Sequence, residues 1–253
     1  MAGCSGCADG KALPFALAVA FQPIVDLETG LPYAYEALIR GPEGQSAAWV
    51  LGQIDDETRY RFDQACRVAA ITQAVDAGLL TGDAKLSINF MPNAVYSPMA
   101  CIQLTLKTAR KVGLPIDRLI FEFTENEKID PDHVRAIVEA YRALGFATAI
   151  DDFGAGHAGL GLLANLQTDW IKIDMGLIRG VDASKPRRQI VDATVRLVRE
   201  LGIAVIAEGV ETAGELAVLR DIGVRYVQGF YLARPALGRL PMPDLDPRQL
   251  RAA

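Results

Sequence analysis

Glu36, Asn89, Glu122, Asp151, Lys172, Glu208 and Gln228 each stand at the tail of a separate apolar run. A carboxylate buried on a strand costs several kcal/mol unless something compensates its charge, so four or five converging acids call for a counter-ion. Hard divalent ions such as Mg²⁺ and Mn²⁺ take carboxylate, amide and water oxygens, whereas zinc sites draw on His and Cys. Only two His are present, His133 and His157, so zinc is not expected. In the run WIKIDM the two-residue period of a strand puts Lys172 and Asp174 on one face. A lysine beside metal-held carboxylates can orient a water or an anionic oxygen. Taken singly, each residue has a plainer reading: Asp151-Asp152 could cap the helix that follows, and Glu122 could face solvent from an edge strand. The repetition across seven runs favours a shared site.

The elements that must position these groups alternate along the chain. FQPIVDL, PYAYEALIR, KLSINF, LIFEFTE, FATAIDDF, DWIKIDM, IAVIAEGV and YVQGFYL read as eight strands. Amphipathic segments of helical length lie between them, clearest over 58–76, 132–144, 185–201 and 212–221. Apolar strands separated by helices imply an α/β fold with a parallel sheet covered on both faces. Eight of them in 253 residues favour closure into a (β/α)8 TIM barrel, with a flavodoxin-like sheet as the alternative. The first two strands are joined only by ETGL, too short for a parallel crossover, so one strand is expected to be antiparallel. Residues 1–14 are small, Gly-rich and aperiodic and read as a flexible tail; the segment after Pro241 reads as irregular.

Composition narrows the function classes. A formal net charge of −5 and a pI near 5.2 argue against nucleic-acid binding, which needs clustered Lys and Arg. An anionic substrate would reach such a pocket only with bound cations. No window approaches the ~18 apolar residues of a membrane span. LPFALAVAF has a signal-like look but runs straight into the first strand, which favours a cytoplasmic protein. Cys4 and Cys7 form a CxxC too far in sequence from either His to suggest zinc, and Cys66 and Cys101 stand alone, so no disulfide framework is implied.

Glu36-Ala37-Leu38 followed by Ile39-Arg40 and preceded by FQPIVD, with SINFMP, FEFTE, AIDDFGAG, IKIDM, IAEGVET and VQGFYLARP in order, resembles the EAL-domain cyclic di-GMP phosphodiesterases. The resemblance spans about residues 17–236, with the domain itself expected over 15–245. It implies a modified TIM barrel with one antiparallel strand that cleaves cyclic di-GMP to linear pGpG with two Mg²⁺ or Mn²⁺. Ca²⁺, larger and more loosely coordinated, is expected to inhibit. By motif, Glu36, Asn89, Glu122 and Asp151 would hold one ion, Asp151 would bridge, and Asp152 with Glu208 would hold the second. Lys172 would contact the shared water, and Glu208 is also a candidate proton acceptor. Gln22, Arg40 and Gln228 look like substrate contacts, Arg40 through its planar fork. Glu211 and Asp174 look like anchors of the loop after Asp152.

That loop departs from the family pattern. DDFGTGYSSL is usual and this chain reads DDFGAGHAGL, with Ala155, His157, Ala158 and Gly159 in place of Thr, Tyr, Ser and Ser. Loop control is therefore expected to differ, and His157 reads as a surface residue. DDETRYRFDQACR is similar to the version in EAL domains joined to light-sensing modules. A homodimer is the partner implied, and regulation falls either to a separate sensor or regulatory protein or to further parts of a longer chain. Two other functions compete: a non-catalytic receptor for cyclic di-GMP or a protein, and a metal-dependent enolising barrel with a lysine base.

Overall fold

A computed structural model of the chain describes residues 13–124, 130–156 and 159–245. Cys4, Cys7, His157 and Ala158, and most of the expected tail, lie outside the described residues.

Strands β1 (Ala18–Asp26), β2 (Leu31–Arg40), β3 (Lys85–Asn89), β4 (Leu119–Thr124), β5 (Ala147–Phe153), β6 (Trp170–Ile173), β7 (Ala204–Ala207) and β8 (Tyr226–Val227) close on themselves, because β1 pairs with both β2 and β8. From β2 to β8 all neighbours are parallel. β1 runs antiparallel to β2 and β8, as the short ETGL link requires. A further strand, β9 (Ala236–Leu237), adds to β1 outside the barrel; sequence patterning does not anticipate it. β8 is far shorter than YVQGFYL suggested, because the chain turns away after Gln228.

Helices α1 (Ala47–Leu51), α2 (Arg59–Asp76), α3 (Pro98–Cys101), α4 (Gln103–Val112), α5 (Pro131–Ala143), α6 (Gly159–Asn165), α7 (Met175–Ile178), α8 (Lys185–Glu200) and α9 (Ala213–Asp221) wrap the barrel. α8 starts where Ser184 accepts the Arg187 N–H and Pro186 occupies the first turn. It lays Val191, Val195 and Val198, spaced four and three apart, against the strands. α9 starts in a capping box in which Thr212 and Glu215 satisfy each other's backbone N–H.

The strand period divides the apolar residues into two cores. Phe21, Leu86, Phe121, Ile150, Ile171 and Val205 point out to meet Val134, Ile137, Val195 and Leu216 of the helices. Ile24, Ala34, Ile120, Ala149, Trp170 and Ile206 point in and fill one end of the barrel. Tyr33, Trp170 and Tyr226 close that end with ring centroids 4.7 to 4.9 Å apart.

Candidate functional site

Two residues further toward the C-terminal mouth, the same inward face turns polar. Ala34 is followed on that face by Glu36, Ile120 by Glu122, Ala149 by Asp151, Trp170 by Lys172, Ile206 by Glu208 and Tyr226 by Gln228. On antiparallel β1 the order reverses, and Gln22, register partner of Glu36, precedes Ile24. One face and one period thus gather side chains from separate strands, at the barrel end where such folds carry their sites.

Asp152 breaks this rule. A residue directly after Asp151 should point outward, yet both line the same cleft. The register slips between Ile150 and Phe153, and Asp152 takes a left-handed φ of 56°. This bulge re-aims its side chain to the mouth.

The ammonium of Lys172, wholly buried, lies 2.6 Å from Glu208, 2.9 Å from Glu122, 3.1 Å from Asp151 and 3.6 Å from Glu36. Ser87 donates to the other oxygen of Glu122. Asn89 donates to Glu36 Oε1 at 3.0 Å, and Gln228 Nε2 donates to Glu36 Oε2 at 2.7 Å and to Gln22 at 3.2 Å. Gln228 Oε1 is buried without a hydrogen-bond partner, which leaves one acceptor for a ligand.

The charges do not balance within the protein. Burial pulls the Lys172 ammonium down, but Asp151, Glu122, Glu208 and Glu36 together hold its pKa well above the ordinary lysine value. Burial pushes the acids up, with mutual repulsion adding and Lys172 opposing. Glu122 rises to about 8, helped by Glu36 and Asp151, and Asp152 to about 6, helped by Asp151 and Asp174. Asp151 rises by burial and by Glu36 despite Lys172, and Glu208 rises well above its usual range, mainly by burial.

Two triads of carboxylates are close enough to share an ion: Glu36, Glu122 and Asp151, and Asp151, Asp152 and Glu208. In each, the ligand oxygens lie within 4.8 Å of one another, and Asp151 belongs to both. Two divalent cations would offset the charge of five carboxylates and one ammonium.

The remaining sequence candidates lie outside the carboxylate cluster. Arg40 donates to its neighbour's carbonyl, Ile39 O, at 2.7 Å, and does not line the cleft. Asp174 faces the start of α7, where its carboxylate accepts the Gly176 N–H at 2.7 Å, while its own N–H reaches Phe153 O. Glu211 lines the cleft but its carboxylate pairs with Arg179 at 2.5 Å. Arg179, Phe230 and Met175 were not singled out from sequence, and all three line the cleft of about 190 Å³. Nothing in their spacing marks them, because they sit on connections rather than on strands.

Gly209 and Gly229, each directly after a site residue, let two connections meet over the cleft. A Cβ on Gly229 would clash with the Val210 backbone, and one on Gly209, at φ 69°, with Met175.

The EAL domain model matches residues 15–235, and the chain belongs to the EAL domain family. A standalone versatile EAL protein from Vibrio cholerae O395, crystallised with c-di-GMP, superposes with a TM-score of 0.89 at 46% identity, covering 95% of this chain and 100% of that one. Klebsiella pneumoniae BlrP1 in a manganese and cyclic di-GMP complex gives 0.83 at 37% identity over 91% of this chain and 59% of that one. A calcium complex of the same protein matches equally well, at 92% and 59%. Among curated relatives, the blue light- and temperature-regulated antirepressor BluF of Escherichia coli K12 is 35% identical over 88% of this chain and 55% of its own length. The probable cyclic di-GMP phosphodiesterase PdeG of the same strain is 31% identical over 90% and 45%. The chain thus spans about half the length of these two relatives. Among the described residues, no helix is long and apolar enough to cross a membrane.

Proposed function

We propose that this chain is a cyclic di-GMP phosphodiesterase that uses two divalent cations, Mg²⁺ or Mn²⁺, and releases linear pGpG. The observation that carries the reading is the pair of carboxylate triads sharing Asp151 beneath one cleft. Relatives named as phosphodiesterases and structures named as manganese or calcium complexes with cyclic di-GMP support it.

In this scheme Glu36, Glu122 and Asp151, with Asn89 beside Glu36, would hold one ion, and Asp151, Asp152 and Glu208 would hold the other. When bound, such a pair supplies a nucleophilic hydroxide near neutral pH and neutralises charge developing on phosphate. Lys172 keeps the acids converged and orients the attacking water. Glu208 would take its proton as the water oxygen bonds to phosphorus and one P–O3′ bond of the cyclic dinucleotide breaks, and that proton would pass to the departing 3′ oxygen, which leaves as a hydroxyl. Gln22 and Gln228 contact substrate from the cleft wall; Arg40, resting on the Ile39 carbonyl, is not among the residues that line it.

The test is purified protein with cyclic di-GMP and Mg²⁺ or Mn²⁺, with products resolved by chromatography. Glu36→Ala and Asp151→Ala are each expected to lower turnover at least about a thousandfold, the loss of roughly 4 kcal/mol of transition-state stabilisation, with an unchanged circular dichroism spectrum. Retained turnover in both would refute the site. Ca²⁺ as sole metal is expected to cut the rate at least about tenfold, since its larger radius and looser coordination suit this geometry poorly. A cyclic di-GMP receptor that binds without cleaving is the competing outcome of the same assay.

The homodimer rests on family resemblance. Sedimentation showing monomer at every concentration, with and without cyclic di-GMP, would overturn it.

A further inference from the structure

The walls of the cleft are strongly acidic. Glu36, Asp151, Asp152, Glu208 and Glu211 line it, Lys172 lies beneath its floor, and among the described lining residues Arg179 is the one cation. Arg179 follows directly on α7 and is about half exposed, with its Nη2 2.5 Å from Glu211 Oε1. Such a pair in partial contact with water contributes little to stability.

The connections that carry the pair are already fixed without it. Buried Glu215 accepts the Gly180 N–H through one carboxylate oxygen at 2.8 Å. Its other oxygen accepts the N–H groups of Glu211 and Thr212 at 2.8 and 3.1 Å. Arg179 and Glu211 are therefore held by their backbones to face each other across the rim, and their side chains remain free to exchange partners.

A cyclic dinucleotide carries two phosphodiester groups, and only one can lie over the carboxylate triads. The second is an anion facing an acidic wall, and it needs a cation of its own. The geometry points to Arg179 as the residue that receives this second, unreacting phosphate, with Glu211 as its resting partner. The planar fork of an arginine matches two phosphate oxygens at once. The inference rests on reading the cleft as a cyclic di-GMP site and adds a residue that discriminates a cyclic dinucleotide from a substrate with a single phosphate.

The two members of the pair should act in opposite directions. Arg179→Gln is expected to weaken cyclic di-GMP binding about tenfold, measured by titration calorimetry in Ca²⁺, and to raise KM by a similar factor with kcat within about twofold. Arg179→Lys should recover part of that loss. Glu211→Gln, which frees Arg179 without removing it, is expected to tighten binding two- to threefold.

A merely structural clamp would weaken binding in both variants, and that result overturns the inference. So does an Arg179→Gln variant that binds as the wild type does, and so does a loss of kcat with KM unchanged. If Arg179→Gln fails to fold, the sign of the Glu211→Gln effect decides alone. A wild-type protein that binds cyclic di-GMP with this dependence on Arg179 but does not cleave it sinks the proposed reaction and keeps the inference. One that does not bind cyclic di-GMP sinks both.

Discussion

Lys172 meets four carboxylates within 3.6 Å at a point no solvent reaches, so protonation, stability and the proposed metal binding form one equilibrium here. Glu122 and Asp152 bind protons more tightly folded than unfolded. Without cations, the stability this confers is full below their ordinary values of 4.5 and 3.8 and fades as pH climbs toward about 8 and 6. Protein stripped with EDTA is therefore expected to melt lower at pH 8 than at pH 5.5, and Mn²⁺ at pH 8 to restore it. A melting temperature that rises without metal over that range would contradict the assignment. Because the ion must displace those protons, the apparent Mn²⁺ affinity should also grow from pH 6 to pH 8, with proton release measurable by calorimetry in two buffers. Lys172→Met, which leaves the acids uncompensated, is expected to lose about 3–5 kcal/mol at pH 8 and distinctly less at pH 5.5, where protons substitute for the ammonium.

At the scale of elements, α2 carries a buried ion pair that amphipathic patterning does not show. Arg67 and Asp63, four residues apart and both buried, sit 2.7 Å from each other. Arg67 also donates to Tyr141 on α5 at 2.8 Å, and its guanidinium lies 5.3 and 5.4 Å from the Phe121 and Phe90 rings. Asp63 accepts the Met91 N–H at 2.9 Å, just past the end of β3 and Asn89. The pair thus braces the backbone that presents Asn89. Arg67→Met alone is expected to cost about 3–5 kcal/mol in urea unfolding because it strands Asp63, and Asp63→Asn combined with Arg67→Met should recover part of the loss. Additive losses would show that the pairing does not matter. Burial raises the Asp63 carboxyl despite Arg67, as expected for a charge far from water. In the sequence, FDQACR showed only two charges on a helix; what surrounds them is set by α5 and β4, distant in the chain.

For the whole molecule, closure falls to its weakest seam. β8 and β1 share two register pairs, Val25 with Val227 and Asp26 with Tyr226. Arg225 supplements them with a fork onto Asp26 at 2.9 and 2.7 Å. Burial pushes the Asp26 carboxyl up, but the Arg225 and Glu28 hydrogen bonds outweigh it and hold it below its ordinary value of 3.8. The stability this adds is present above that value and is lost as pH falls below it. Arg225→Met is therefore expected to lower stability near neutral pH, measured by denaturant unfolding, with the gap to wild type closing below pH ~4. A gap that is constant with pH would remove Asp26 from the account.

Strand identity, barrel class, the antiparallel first strand and the convergence of Glu36, Glu122, Asp151, Lys172, Glu208 and Gln228 could all be read from the sequence. Each depends on a short-range rule, the alternation of faces along a strand and the length of a connection. Chain order alone could not show the bulge that brings Asp152 to the mouth, the departure of Arg40 from the cleft, the arrival of Arg179, or the ninth strand. Those outcomes depend on which distant backbone or charge lies opposite, and that is settled only when the barrel closes.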